Sequence, residues 1–235
     1  MHIDVASRFA GPPTMGHGGY VAGLLATRTK GAVQVTLRRP TPLDVALELD
    51  DLGDGRFGIR HGDELVAESE PSTLEIDVPR PPSYDEALAA EAGSPSHYDE
   101  RGVHPICFGC GKLQEPGEGL RIFAGPVEID GRPQVAGVWR PGPQLAEADG
   151  SVDAHWVLSA LDCPGAVAFI AREVGAGLLG RIVFEQYGEV RADADHVVTG
   201  WQIGGEGRKL FAGTALFDRS LNLLAAARAT WFQRG

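Results

Sequence analysis

Residues 35–49 read VTLRRPTPLDVALEL and residues 53–70 read GDGRFGIRHGDELVAESE. The same phrase returns as IVFEQYGEVRADADHVVTG over residues 182–200 and GEGRKLFAGTALFDRSLNLLAAA over residues 205–227. Laid over each other, Pro42 falls on Val190, Gly55-Arg56 on Gly207-Arg208, and Leu65-Val66-Ala67 on Leu223-Leu224-Ala225. The offset drifts because the second copy has longer loops. Each copy, residues 33–76 and 182–232, follows a short apolar helix pattern. A unit of this length, present only twice, is too long for a solenoid repeat. It points to two fused copies of one domain, a pseudo-dimer in a single chain.

Outward from the repeat, period-two alternation predicts strands. Val33, Val35 and Leu37 alternate with Gln34, Thr36 and Arg38, and Val45, Leu47 and Leu49 alternate likewise. Leu74, Ile76 and Val78 predict a half-buried strand closing the first copy. Gly53-Asp54-Gly55 and Gly62-Asp63 mark tight turns between antiparallel strands. Ahead of them, the turn-rich GPPTMGHGG of residues 11–19 leads into a helix pattern on Val21, Leu24 and Leu25.

In the second half, strands are expected over residues 120–123, 135–139, 182–187, 197–203, 210–217 and 223–232. The longest helix pattern covers residues 152–170, with Pro164 inside it. Proline there removes a hydrogen bond and clashes with the preceding turn, so a kink or restart near Cys163 is expected. Between the copies, Pro79, Pro81, Pro82 and Pro95 bracket a helix-forming run at residues 85–92. The chain therefore divides into an N-terminal copy, residues 1–78, a linker with a short helix, residues 79–103, and a C-terminal copy, residues 104–235.

Composition narrows the function classes. With 21 basic and 32 acidic residues the net charge is −11, which argues against nucleic acid and anionic membranes as partners. An anionic ligand would need a local basic patch. No apolar run approaches the ~20 residues of a membrane helix, and the N-terminal residues do not open like a signal peptide. Three cysteines do not suggest a disulfide framework. A soluble, cytoplasmic protein is the expectation.

Antiparallel strands wrapped around one helix, used twice, with His17-Gly18-Gly19 at a helix start, resemble the hotdog fold, and more narrowly the acyl-CoA thioesterase superfamily in its double-hotdog form. The likeness rests on HGG followed by YVAGLLA and on RRPTPL in the next strand. In the second copy it rests on Cys107-Phe108-Gly109-Cys110-Gly111, on Gly119-Leu120 and on Leu161-Asp162. The resemblance implies an α+β double hotdog: two antiparallel sheets, each wrapped around a central helix, fused in one chain. It implies hydrolysis of an acyl thioester, carried by coenzyme A or an acyl carrier protein, with no cofactor beyond that substrate. A homo-oligomer is in keeping with it.

The same resemblance assigns roles. A carboxylate on the central helix acts there as general base for water or attacks the carbonyl directly, and Asp162 takes that position. His17, Gly18, Gly19 and Tyr20 would form the substrate-binding, oxyanion-holding side, since a helix start presents unpaired N–H groups backed by its dipole. In hotdog dimers the site lies between subunits, so one composite site, Gly18-Gly19 facing Asp162, is expected.

Each residue also has a plainer reading. The glycines would permit a tight turn, and Asp162 would cap a helix restarting at Pro164. The first copy carries no acid where Asp162 falls, near Ala26, and the second has Asp153-Ala154-His155 in place of HGG. Cys107, Cys110 and His104 are metal-ligand types, but a structural zinc site needs four ligands, so no metal is expected. Cys163 as a nucleophile would need an activating base that the sequence does not identify. Trp139, Trp156, Trp201 and Trp231 read as core. Two other functions stay open: a hydratase or dehydratase of acyl thioesters, for which Asp153 and His155 are at the wrong spacing, and a non-catalytic acyl-CoA-binding protein.

Overall fold

A computed structural model of the chain describes residues 1–98, 103–172 and 174–233. The strands β1 (His2–Ile3), β2 (Val33–Leu37), β3 (Leu47–Gly53), β4 (Arg56–His61) and β5 (Glu64–Pro71) form the first half. The second half holds β6 (Gly125–Ile129), β7 (Arg132–Trp139), β8 (Leu178–Gln186), β9 (His196–Glu206), β10 (Lys209–Asp218) and β11 (Leu223–Phe232). All eleven join one antiparallel sheet in the order β1-β3-β4-β5-β2-β8-β11-β10-β9-β7-β6. The expectation of two sheets is corrected here: the halves share a single sheet, sealed where β2 pairs with β8. A free β2 or β8 edge would expose a row of unpaired backbone groups, and pairing them removes both edges at once.

The order reads the same outward from that seam. β5 and β11 flank it, then β4 and β10, β3 and β9, β1 and β7. Val33 and Val35 are buried and lie opposite Phe184 and Ile182, while Gln34 and Thr36 between them are half-buried. The repeated glycine turns fall at matching hairpins. Asp54 and Gly55 both take positive φ, 55° and 72°, between β3 and β4, the pair of left-handed residues a two-residue hairpin requires.

Two helices, α1 (Gly18–Ala26) and α3 (Ala154–Ile170), pack against each other and against the sheet. They run antiparallel, with Gly19 against Leu158, Ser159 and Asp162, and Gly23 against His155. A Cβ on Gly19 would lie 2.6 Å from the Cβ of Asp162, so glycine is what lets the backbones approach. The main core fills the space between helices and sheet, with Leu25, Leu158, Leu161, Ile182 and Leu216 fully buried.

Three local expectations are corrected. The helix α3 runs unbroken through Pro164, with Asp153 rather than Asp162 as its N-cap. Residues 72–80 form no strand; Leu74, Ile76 and Val78 instead lie in an extended segment against Ala136, Val197, Trp201 and Phe217. Extended backbone gives the same alternation whether or not a neighbouring strand pairs with it. Residues 120–123 are likewise irregular, and the strand begins later, at Gly125.

The linker continues into a third helix, α2 (Tyr84–Ala90), which packs against β6, β7 and β9. A capping box between Ser83 and Glu86 starts it. Residues 99–102 of the linker lie outside the described residues. Among the described residues no helix is long and apolar enough to cross a membrane.

Candidate functional site

The N-terminus of α1 decides the local chemistry. His17 is its N-cap, and its Nδ1 accepts the Tyr20 N–H at 3.2 Å. In the neutral ring that bond leaves the proton on Nε2, which faces two acceptors: Asp162 Oδ2 at 3.2 Å and Cys163 Sγ at 3.3 Å. The Gly19 N–H donates to the same Asp162 Oδ2 at 2.6 Å. The other carboxylate oxygen, Oδ1, is buried and accepts no hydrogen bond among the described residues. Asp162 is 3% exposed and His17 2%, so both sit in a medium where unpaired polar atoms are costly.

Burial and charge pull in opposite directions. Burial opposes a positive His17, but the Asp162 carboxylate and the Cys107 sulfur favour it, and its pKa rises to about 8. A protonated ring cannot accept the Tyr20 N–H, so protonation exchanges the helix cap for a stronger ion pair. Burial raises the Asp162 pKa, and His17 and the Gly19 N–H offset it only in part.

Three thiols join this pair. Cys107 Sγ lies 3.6 Å from Cys163 Sγ, and Cys107, Cys110 and Cys163 form one buried cluster. The neighbouring Cys110 and Cys163 thiols hold the Cys107 thiol well below the usual range against the cost of burial, with His17 adding to them. The Cys110 and Cys163 thiols are pushed up correspondingly. The loop carrying Cys107 and Cys110 is pinned by Phe108 N–H to Ala10 O at 2.8 Å and Gly111 N–H to Cys107 O at 2.7 Å. Gly109 at its tip has no room for a side chain, since a Cβ there would lie 2.6 Å from Cys163 Sγ and 2.8 Å from His17 Nε2.

These groups line a cavity of about 1160 Å³ between the two halves of the chain. Gly18, His17, Asp162, Cys107 and Cys163 stand on one part of its wall, and Leu37, Val167, Ile170 and Trp231 make it apolar elsewhere. Arg38, Arg39 and Arg208 also line it, a local basic group on an acidic chain. With the Gly19 N–H taken by Asp162 and the Tyr20 N–H by His17, the Gly18 N–H is the helix-start donor left on the cavity wall; it meets no acceptor among the described residues.

The expected constellation of His17, Gly18, Gly19 and Asp162 thus comes together from two helices. Tyr20 does not join it. Its ring stacks on Phe9 at 4.0 Å and packs against His155 at 4.4 Å, away from the cavity. The equivalent corner at the start of α3 is closed: His155 stands where Gly19 stands in α1, its N–H is taken by Asp153 at 2.7 Å, and its ring stacks on Trp156. Asp162 caps no restarted helix, because α3 has none.

Sequence reasoning takes Cys107 and Cys110 for buried thiols in a tight turn but does not bring Cys163 and His17 to them. His17, Cys107 and Cys163 carry ligand atoms within 4.8 Å of one another, the spacing of a metal site, and His104 is not among them. The donor chemistry fits a metal poorly. A histidine bound through Nε2 normally carries its proton on Nδ1 and donates it, whereas Nδ1 of His17 is an acceptor.

The sequence matches no family model and no curated protein. Solved structures are similar in fold. The tesB protein of Mycobacterium avium subspecies paratuberculosis superposes with a TM-score of 0.66 at 16% identity, over 100% of this chain and 92% of that one. A chain from Novosphingobium aromaticivorans with a provisional thioesterase name gives 0.64 at 15% identity, over 100% and 95%. A protein of unknown function with a hotdog fold from Alicyclobacillus acidocaldarius gives 0.63 at 10% identity, over 100% and 92%. Identities this low speak to architecture alone, and by architecture this chain is a hotdog-fold protein, built as one continuous sheet with two central helices.

Proposed function

We propose that the chain hydrolyses an acyl thioester in the cavity between its halves. The observation that carries this reading is the meeting of the α1 start with the α3 carboxylate. Asp162 is fixed through Oδ2 by Gly19 N–H and His17, while Oδ1 remains free of hydrogen bonds among the described residues. In this reading Oδ1 takes the proton of the attacking water, and the raised Asp162 pKa makes it a better base than an ordinary carboxylate. The thioester carbonyl rests on the Gly18 N–H, where the helix dipole stabilises the developing oxyanion; one such donor is typically worth about 3–4 kcal/mol. The apolar wall takes the acyl chain, and the arginines on the rim, Arg208 together with Arg38 and Arg39, which are ion-paired with Glu68 and Glu64, would meet the phosphates of the carrier. The names carried by the similar tesB protein and the Novosphingobium chain agree with this chemistry.

A thiol-release assay across acyl-CoAs of graded chain length tests it. Asp162→Asn removes the base while keeping the side-chain volume, and should lower the rate by a factor of about 10² or more with an unchanged circular dichroism spectrum. Retained hydrolysis in that variant would sink the assignment of Asp162. Binding of the acyl-CoAs without turnover by the wild-type chain would favour a carrier or sensor instead.

A further inference from the structure

The hydrolysis proposed above leaves the thiols unused, although they are the most unusual chemistry in the cavity. Cys107 and Cys163 come from segments 56 residues apart, and their sulfurs stand 3.6 Å apart, both buried and both on the cavity wall. A disulfide has its sulfurs about 2.05 Å apart, so closing one needs an approach of roughly 1.5 Å. The loop is already pressed onto the helix at this point, as the missing space for a Gly109 side chain records.

We propose that Cys107 and Cys163 form an oxidation site for hydroperoxides within the cavity, with Cys107 as the reacting thiolate and Cys163 as the resolving thiol. The Cys107 sulfur attacks the outer oxygen of the hydroperoxide, the O–O bond breaks, and the departing alkoxide or hydroxide takes up the proton that Cys107 released on becoming a thiolate, leaving as alcohol or water. Cys107 is then a sulfenic acid. The Cys163 thiol gives up its proton and attacks that sulfur, expelling hydroxide, which takes the proton and leaves as water. Two thiols lose two electrons to one peroxide, and the loop becomes tied to α3.

Three features support this assignment. Cys107 Sγ lies 3.6 Å from Cys163 Sγ, which is itself 3.3 Å from His17 Nε2, and this cluster holds the Cys107 thiol low despite burial, the environment that favours a thiolate. A resolving thiol already in contact is what directs a sulfenic acid to a disulfide before it oxidises further. The cavity gives a small oxidant a route to buried sulfur. The His17 tautomer argues against the same atoms serving as a metal site.

The test does not use thioester hydrolysis, so it stands or falls separately from that function. The reduced full-length chain is treated with hydrogen peroxide and its thiols are counted after denaturation. The count should fall from three to one, roughly tenfold or more faster than in the urea-unfolded chain, and return to three with dithiothreitol. Peptide mapping without reductant should join the Cys107 and Cys163 peptides. Cys110→Ser should leave that link intact, whereas Cys163→Ser should abolish it and leave a Cys107 sulfenic acid that dimedone traps. Loss of the rate advantage over the unfolded chain overturns the proposal, as does a link between Cys107 and Cys110 in the wild type. Stoichiometric zinc shielding all three thiols until a chelator is added would also overturn it. Should Cys163→Ser fail to fold, the wild-type peptide map decides alone.

Discussion

A methyl group on Gly109 would press at once against the Cys163 sulfur and the His17 ring, at 2.6 Å and 2.8 Å. Neither neighbour can retreat freely: His17 is held by Tyr20 N–H and Asp162, and Cys163 is rooted in a buried helix. Gly109→Ala should therefore cost about 1–3 kcal/mol, the usual range for overpacking a closed site. Gly175→Ala, where an added methyl meets nothing within 4 Å, should stay within about 0.5 kcal/mol of wild type. Urea denaturation of the two variants measures the difference, and equal midpoints would show that the loop is not clamped. The same corner explains what was legible at this scale. His17, Gly18 and Gly19 mark a helix start by local rules, but their role and that of Asp162 come from the resemblance to hotdog thioesterases, since the residues alone also read as a tight turn and an N-cap. Residues 17, 107 and 163 share no local pattern. Only the tertiary approach of a loop and two helices makes them neighbours, so a base for Cys163 could not be named from the sequence.

The helix α3 shows where a local rule loses to packing. An interior proline costs about 3 kcal/mol in an isolated helix, which is why the sequence suggests a break near Cys163. Yet Val157, Leu158, Leu161, Val167 and Phe169 are all buried along this one helix. Burying an apolar side chain of that size is worth roughly 1.5–3 kcal/mol, so the stripe outweighs the defect and the helix continues. Its start depends instead on Asp153, whose side chain accepts the His155 N–H at 2.7 Å. Asp153→Ala should destabilise the chain by about 1 kcal/mol, as expected for loss of an N-cap. Although α3 also carries Asp162, loosening its first turn should leave the cavity chemistry nearly untouched, the two lying more than two turns apart. Thermal denaturation together with thiol release checks both halves of that statement; a large loss of activity without loss of stability would contradict it.

At the scale of the whole molecule, the two halves are alike in strand order and unlike in what their helix starts hold. The repeat in the sequence conveyed the first, because glycine turns and alternating strands are read residue by residue. The single sheet was not legible, since pairing between β2 and β8 joins segments that no local pattern connects. The asymmetry also has a consequence for pH. His17 and His155 occupy the two helix starts, yet burial and partners shift them oppositely. Burial dominates at His155 and lowers its pKa to about 4, the Asp153 carboxylate and a backbone hydrogen bond opposing it only in part. The unfolded chain takes up a proton there below about 6.5 and the folded chain does not, so this contribution is present above 6.5 and lost as pH falls toward 4. A shift of that size corresponds to about 3 kcal/mol. His17, raised to about 8, contributes the other way: its share is full below 6.5 and lost as pH rises through 8. Together they place a stability maximum near neutrality, with His155 responsible for much of the acid side. His155→Gln should shrink the drop in unfolding free energy between pH 7.5 and pH 4.5 by about 2–3 kcal/mol relative to wild type. Equal drops in the two proteins would assign the acid side to the surface carboxylates rather than to the buried histidine of the closed corner.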